Sequence, residues 1–352
     1  MCDNIIKKLL SLWKSNNAET SSFVFKLVTK YTVCMLFFFI LLIGGKQLFG
    51  EPTSCKLSDK ARYDVMDYEC WINGDYSSYM NTYSSNQRYQ QQEFLKIGFY
   101  GIIVPLLVLQ ALCLIAPRVH WHYKQEQTIP KTLKKLHTKE ISDDWINQRT
   151  QLINYIKHVD KSYHQLFATK YMFCELITII LIIIIMLLMS LVIDGFWYEY
   201  RSAATSLFML DFSRLYLTSS RIFPKQADCH FYTYEVNIYT KHRNGVCVFP
   251  QNVFNDKIFA ILYIWYIFIL TWSILNFIVL IAKLSFKCLR LKEIRRMLGR
   301  PATTWECKYL SENGDYGLWF TLRIFRRNMH LVHFQDLCTE LLNEVASIPN
   351  TL

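Results

Sequence analysis

A chain of 352 residues could hold two soluble domains, but 52% hydrophobic and 16% aromatic residues against 19% charged ones point to a membrane protein. The formal net charge of +11 collects in three segments that flank long apolar runs, so it reads as a complement to anionic lipid rather than to nucleic acid. Catalytic classes find no support: the chain has no Cys-x-x-Cys pair, no Gly-rich phosphate loop and no motif that would gather Ser, His and Asp. The expectation is a protein without enzyme activity, cofactor or metal.

Residues 1–30 carry Lys7, Lys8, Lys14, Lys26 and Lys30 but no apolar core of the signal-peptide kind, so a retained, cytosolic N-terminus is expected. Within it Ile6, Leu9, Leu10 and Trp13 share one helical face, Lys7, Ser11 and Lys14 the other, and Asp3 can cap the helix. Such a helix either lies on the inner leaflet or folds into a pore mouth. The first span is read at 31–49, where Lys30 and Lys46 can snorkel from the ends of a short apolar run. Residues 50–96 form a polar loop holding Cys55 and Cys70, rich in the Tyr, Ser, Asp and Asn of turns and contact surfaces. The second span, 97–116, is uncharged; Pro105 in its middle removes a backbone donor and is expected to kink the helix, as a gate would require.

Residues 117–170 hold ten Lys and Arg, and apolar positions from Trp145 through Leu152, Ile153 and Ile156 to Phe167 recur at helical spacing. His120 and His122 flank Trp121 with no further ligands at a recognised spacing, and read as interfacial anchors. The third span, 171–193, has Glu175 near one end, an acid that either faces lipid headgroups or serves function. A second polar loop, 194–257, holds Cys229 and Cys247 with His230, Phe231, Tyr232, Tyr234 and Tyr239 between them, an alternation that suggests a strand or hairpin. The fourth span is 258–282, and the tail, 283–352, holds eleven Lys and Arg with helical signals over Ser311–Ile348.

By the positive-inside rule both ends and the 117–170 loop are cytosolic, which puts the two cysteine loops outside. Disulfides persist there, so Cys55, Cys70, Cys229 and Cys247 are expected to be bridged; four cysteines permit three pairings and the sequence does not choose. Cys34, Cys113, Cys174 and Cys288 read as small apolar packers, with Cys288 also a candidate for acylation. The fold class that results is an all-α membrane protein: a four-transmembrane-helix bundle with two disulfide-stapled extracellular loops and a cytosolic helical domain.

Particular residues add a resemblance. Lys46-Gln47-Leu48-Phe49-Gly50-Glu51-Pro52-Thr53-Ser54-Cys55, followed by Cys70-Trp71-Ile72, resembles the first extracellular loop of innexins, the invertebrate gap-junction proteins. Phe223-Pro224-Lys225, Cys229, Phe231, Cys247, Pro250, Asn252 and Asn255-Asp256-Lys257-Ile258 are similar to the innexin second loop. Of the family's second-span signature only Tyr100, Val104 and Pro105 match, while Gly314-Asp315-Tyr316-Gly317-Leu318-Trp319-Phe320 resembles a family tail segment. This divergence and the short tail are similar to viral innexins.

The resemblance implies a ring-forming oligomer, eight subunits around a wide pore at the plasma membrane and gap junction. An apposed ring in a neighbouring cell docks through the loops. It further implies cross-stapled loops, Cys55 with Cys247 and Cys70 with Cys229, and an N-terminal helix folded into the pore so that Lys7, Ser11 and Lys14 face permeants. The partners it implies are further copies of the chain, other innexins and membrane lipid, with no nucleic acid. The function expected is passive passage of ions and small metabolites; the alternatives are a four-span adhesion protein without a pore and a regulatory subunit that modifies host innexin channels.

Overall fold

The computed structural model describes residues 20–50, 53–57, 67, 75–81, 90–96, 100–128, 145–158, 160–193, 196–209, 223–234, 240–312 and 315–346. Four of its helices are long and apolar enough to cross a membrane: Phe23–Phe49 (α1), Ile103–Gln125 within α2, Ser162–Val192 within α4, and Pro250–Ser285 (α6). Helix α2 covers Ile103–Thr128 and α4 covers Lys161–Val192. These helices outrun the apolar stretches read from sequence because polar residues continue the same backbone ladder beyond the hydrocarbon-length core. Apolar side chains such as Leu41, Ile183, Leu187, Leu191, Leu275 and Ile278 stay exposed on them, a surface that suits lipid rather than water.

The chain divides into two compact units, one from the described residues of 30–114 and 181–270, the other from those of 1–29, 115–180 and 271–352. In the first, the loop unit, spans bury Leu36 and Ile43 of α1, Leu107, Ala111 and Leu114 of α2, Ile182, Ile185 and Met189 of α4, and Phe259, Leu262, Tyr266 and Ile269 of α6. The three- and four-residue spacing of these positions is the packing stripe of each helix. Inside it the Tyr266 hydroxyl donates to Gln110 Oε1 at 2.7 Å, Gln110 Nε2 donates to Met189 Sδ at 3.0 Å, and Trp265 Nε1 donates to Thr32 Oγ1 at 2.9 Å. In hydrocarbon such groups must pair with one another.

Among the described residues the loops contribute five strands: β1 (Ser54–Leu57), β2 (Asp75–Asn81), β3 (Gln90–Lys96), β4 (Gln226–Tyr234) and β5 (Thr240–Val248). They form one antiparallel sheet in the order β1-β5-β4-β2-β3. The β4–β5 hairpin bears out the alternation of aromatics in the second loop. The helical fold class stands for the spans, and to it the loops add a sheet whose first-loop strands have no comparable alternation. Helix α5 (Phe196–Phe208) packs Phe196 and Tyr200 against Phe259 and Tyr263 of α6, with ring centroids 4.8–6.3 Å apart across the cluster.

The second, or tail, unit holds α3 (Trp145–His158), α7 (Lys287–Leu298), α8 (Thr304–Glu312), α9 (Asp315–Asn328) and α10 (Leu331–Ala346), with the adjoining ends of the long helices. Its core joins Trp121, Leu152, Phe167, Leu298, Trp319, Phe325, Phe334 and Leu341 among others. Each such side chain contributes about 1.5–3 kcal/mol by leaving water. Helix ends are finished by specific partners. Gly299, at φ 63°, closes α7 in the left-handed conformation that glycine favours, and Gln335 Nε2 and Arg326 Nε donate to the Leu298 and Met297 carbonyls. Thr303 and Glu306 open α8 reciprocally: the Thr303 N–H donates to Glu306 Oε2 at 2.8 Å and the Glu306 N–H to Thr303 Oγ1 at 3.2 Å.

Candidate functional site: a stapled sheet and a buried carboxylate

The sheet is built from both loops, and its register explains its staples. Strand β5 lies between β1 and β4, and β4 between β5 and β2, so the second-loop hairpin sits inside strands of the first loop. Cys55 stands opposite Cys247, and these two are joined as a disulfide across 192 residues of chain. Cys229 faces Gly245 on one side and Tyr76 on the other, and it too is disulfide-bonded. Cys70, its remaining candidate, lies outside the described residues.

Alternation along the strands puts Cys55, Ala227, Cys229, Gly245 and Cys247 on the buried side, while Lys56, Gln226, Val246 and Val248 are exposed. The sulfurs therefore share one face, and the other, with Val246 51% exposed, is open for contact. Below the sheet, Pro250 starts α6 where its missing N–H costs nothing. Asn252 Nδ2 donates to the Pro224 carbonyl at 2.7 Å and the Phe249 N–H to that of Lys225 at 2.9 Å, which ties the root of the hairpin to the helix. Asn252, Asn255 and Asp256, polar residues that carry part of the family resemblance, are all buried here.

Pro105 lies in the first turn of α2, directly after a 3-10 turn over Tyr100–Ile102. A helix has no intrahelical partner for its first N–H groups, so the mid-span loss of a hydrogen bond expected from sequence does not occur at this position. The proline in the helix interior is Pro117. Lys7, Ser11 and Lys14 fall outside the described residues. His120 is exposed beside the buried Trp121, and among the described residues no group of three His, Cys, Asp or Glu side chains could hold a metal.

Glu175 does not face headgroups. It is 6% exposed and held at both oxygens: Ser22 Oγ and the Tyr171 hydroxyl donate to Oε1 at 2.8 and 2.6 Å, and Asn276 Nδ2 donates to Oε2 at 2.9 Å. The Ser22 N–H donates in turn to the Tyr171 hydroxyl at 2.7 Å, and Ser22 Oγ caps the start of α1 by accepting from the Phe25 N–H. Two residues earlier, Thr20 donates to Gln125 Oε1 at 2.6 Å and accepts from Trp121 Nε1 at 2.9 Å. The short segment 20–22 is thus clamped by buried hydrogen bonds to α2 and α4, and through Glu175 to Asn276 of α6, just before α1 widens into a π turn over Leu27–Tyr31, a distortion common at functional positions. The sequence marks Glu175 but not its full set of partners, since Ser22 and Asn276 come from distant segments and only Tyr171 shares its helix. The i, i+4 spacing of Tyr171 and Glu175 was the available signal.

The tail segment from Tyr316 to Phe320 also acquires a reason. Gly317 packs so closely on α4 that a Cβ there would lie 2.6 Å from the Gln165 nitrogen and 2.7 Å from the His164 carbonyl carbon. The Tyr316 hydroxyl meets Thr169 Oγ1 at 3.1 Å, Thr321 meets His164 Nδ1 at 3.0 Å, and Trp319 and Phe320 fill the core beside them. Nearby, burial pushes the Cys338 thiol up to about 12 although Arg300 pulls it down, so this cysteine serves packing rather than reactivity.

Comparison with known proteins agrees with this geometry. The sequence profile of the family described as Innexin matches residues 21–345. Innexin inx4 of Anopheles gambiae is 28% identical over 345 residues, covering 94% of this chain and 89% of its own length. Innexin inx4 of Drosophila melanogaster is 27% identical over 363 residues, with 96% and 95% covered, and innexin shaking-B of the same fly is 25% identical, with 97% and 95% covered. Four membrane-length helices, a disulfide-joined pair of loops and a family match along nearly the whole length identify a multi-pass plasma-membrane channel subunit: this chain belongs to the innexin family of gap-junction proteins.

Proposed function

We propose that the chain assembles with copies of itself into a ring of about eight subunits, the family's ring size, that docks onto an apposed ring in a neighbouring cell and conducts ions and small metabolites without hydrolysing anything. The observation that carries this reading is the five-stranded sheet. Strands from both loops interleave in it and a disulfide joins its edge strand β1 to the neighbouring β5, so a docking surface built on it is already ordered before contact, and the ordering cost of ring-to-ring association falls. The loops are placed outside and the basic tail unit inside by the distribution of Lys and Arg.

Selectivity in this reading comes from the width of the entrance and from Lys7, Ser11 and Lys14 on an N-terminal helix folded into the pore, with the lysines disfavouring cations. The clamp at residues 20–22 supports it, for a helix leading into a pore needs a fixed root. Dye transfer between paired cells expressing only this chain tests the channel reading. Contact without transfer would indicate an adhesion protein, and silence that becomes altered conductance only beside another innexin would indicate a regulatory subunit. Imaging the purified assembly along its axis counts the subunits, and an unchanged anion-to-cation permeability after Lys7→Ala with Lys14→Ala would remove the lysines from the entrance.

A further inference from the structure

Where α6 leaves the membrane-length stretch, the chain turns at Phe286 into α7, and Arg290 fixes the turn by donating from Nη1 to the Lys283 carbonyl at 3.2 Å and to that of Leu284. Between the end of α6, the length of α7 and the end of α9 lies a groove of about 650 Å³. Its lining holds five cations, Lys283, Lys292, Arg296, Arg326 and Arg327, against the single carboxylate of Glu293, which is already bridged by Lys283 at 3.2 Å and by Arg323 at 3.5 Å. Lys292 and Arg296, four residues apart on α7, are exposed and have no acidic partner among the described residues. Like charges at that spacing destabilise a helix.

Cations in the last turns of α7 and α9 complement the carbonyl ends of those helices, which accounts for Arg296, Arg326 and Arg327 singly. It does not account for their convergence with Lys283 and Lys292 on one cavity. The groove also has an apolar flank: Leu289 lines it and is 38% exposed, Phe286 beside it is 60% exposed, and the exposed Leu275, Ile278, Val279 and Ile281 of α6 lead up to Lys283. A ligand that fits is strongly anionic at one end and apolar at the other, and it approaches along the membrane-facing side of α6.

We propose that this groove receives the multiply phosphorylated headgroup of a membrane lipid. Arginines would grip phosphate oxygens in pairs and lysines would add point charges, while the acyl chains lie along Phe286, Leu289 and the exposed face of α6. The inference goes beyond the channel reading and takes from it only that the tail helices face the inner leaflet.

The test is a titration of the full-length protein in detergent with fluorescent phosphatidylinositol bisphosphate, read by anisotropy. Saturable binding is expected, and Lys292→Ala with Arg296→Ala should weaken it about 25-fold, at about fivefold per cation at a membrane surface. Lys287→Ala with Arg295→Ala removes the same charge from exposed positions of α7 outside the groove and should leave affinity within about twofold. Equal losses in the two pairs, or phosphatidylserine competing as well as the bisphosphate lipid, would reduce the effect to net surface charge and overturn the site. Soluble inositol trisphosphate displacing the probe as well as the lipid does would make the ligand a free phosphate and overturn the lipid assignment. Dye transfer by the same variants is measured separately, so loss of binding and loss of the channel are distinguishable.

Discussion

The loop unit and the tail unit hold together by different physics. In the loop unit the sheet joins segments nearly two hundred residues apart through backbone hydrogen bonds and a covalent bridge, and the spans below pack side chains that have no water to escape. Association there rests on close packing and paired polar groups, since lipid is as apolar as the side chains. In the tail unit the helices bury aromatic and aliphatic side chains away from water, so the hydrophobic effect itself supplies the cohesion, and polar contacts such as Trp145 and Arg149 on Asp336 fix the register. A region stapled by few strong links should fail abruptly when one is cut. One held by many weak contacts should weaken in steps.

The sharpest way to break that contrast is at the staple. Cys55→Ser or Cys247→Ser leaves β1 without its covalent tie to β5 and an odd thiol in its place. Removal of a native bridge costs about 2–5 kcal/mol, and dye transfer should be abolished even where protein still reaches the surface. Full activity of either variant would show that the sheet stands on hydrogen bonds alone.

A second cut falls on the clamp. Glu175→Ala strands the hydroxyls of Ser22 and Tyr171 and the amide of Asn276 in a buried place, and about 1–3 kcal/mol is expected for each donor left without a partner. Glu175→Gln keeps an acceptor for the two hydroxyls and, if Asn276 turns its amide, a partner for that side too, so its cost should be about 1 kcal/mol. Thermal unfolding of the full-length protein measures both. Equal losses would show that the negative charge, rather than the hydrogen-bond set, is what the site needs. Gly317→Ala comes next, at about 1–3 kcal/mol, because the backbone of α4 stands where the methyl group must go.

The spans, the hairpin and the helical tail were legible because each is written in local periodicity: uncharged runs for α2, α4 and α6, alternation for β4, helical spacing through Leu152 and Ile153. The first-loop strands were not, since β1 and β2 are specified by partners in the other loop, as Asp75 with His230 shows, and β3 in turn pairs with β2. The same holds for the clamp. Glu175 stood out by its charge, but its meaning depends on residues at 22 and 276 that the fold alone brings to it. Pro105 shows the converse error, for a residue type with a strong local effect has none where the helix has only begun.

The smallest expected effect concerns the start of α8, and it tests the stepwise half of the contrast. Burial acts to raise the Glu306 pKa, but the Thr303 N–H and the Arg300 guanidinium outweigh it and hold this carboxyl below the usual glutamate range. A depressed folded pKa contributes stability that is complete above the unfolded value and is lost as pH falls through the folded one. Thr303→Ala removes one side of the reciprocal cap and should cost about 1 kcal/mol at neutral pH. Glu306→Gln should narrow the melting-temperature gap to the parent on acidification, because the parent then loses what the variant never had. A gap that stays constant down to acid pH would mean that the cap works through hydrogen bonding by a neutral side chain, and that the charge at 306 adds nothing to the hold between α8 and Arg300.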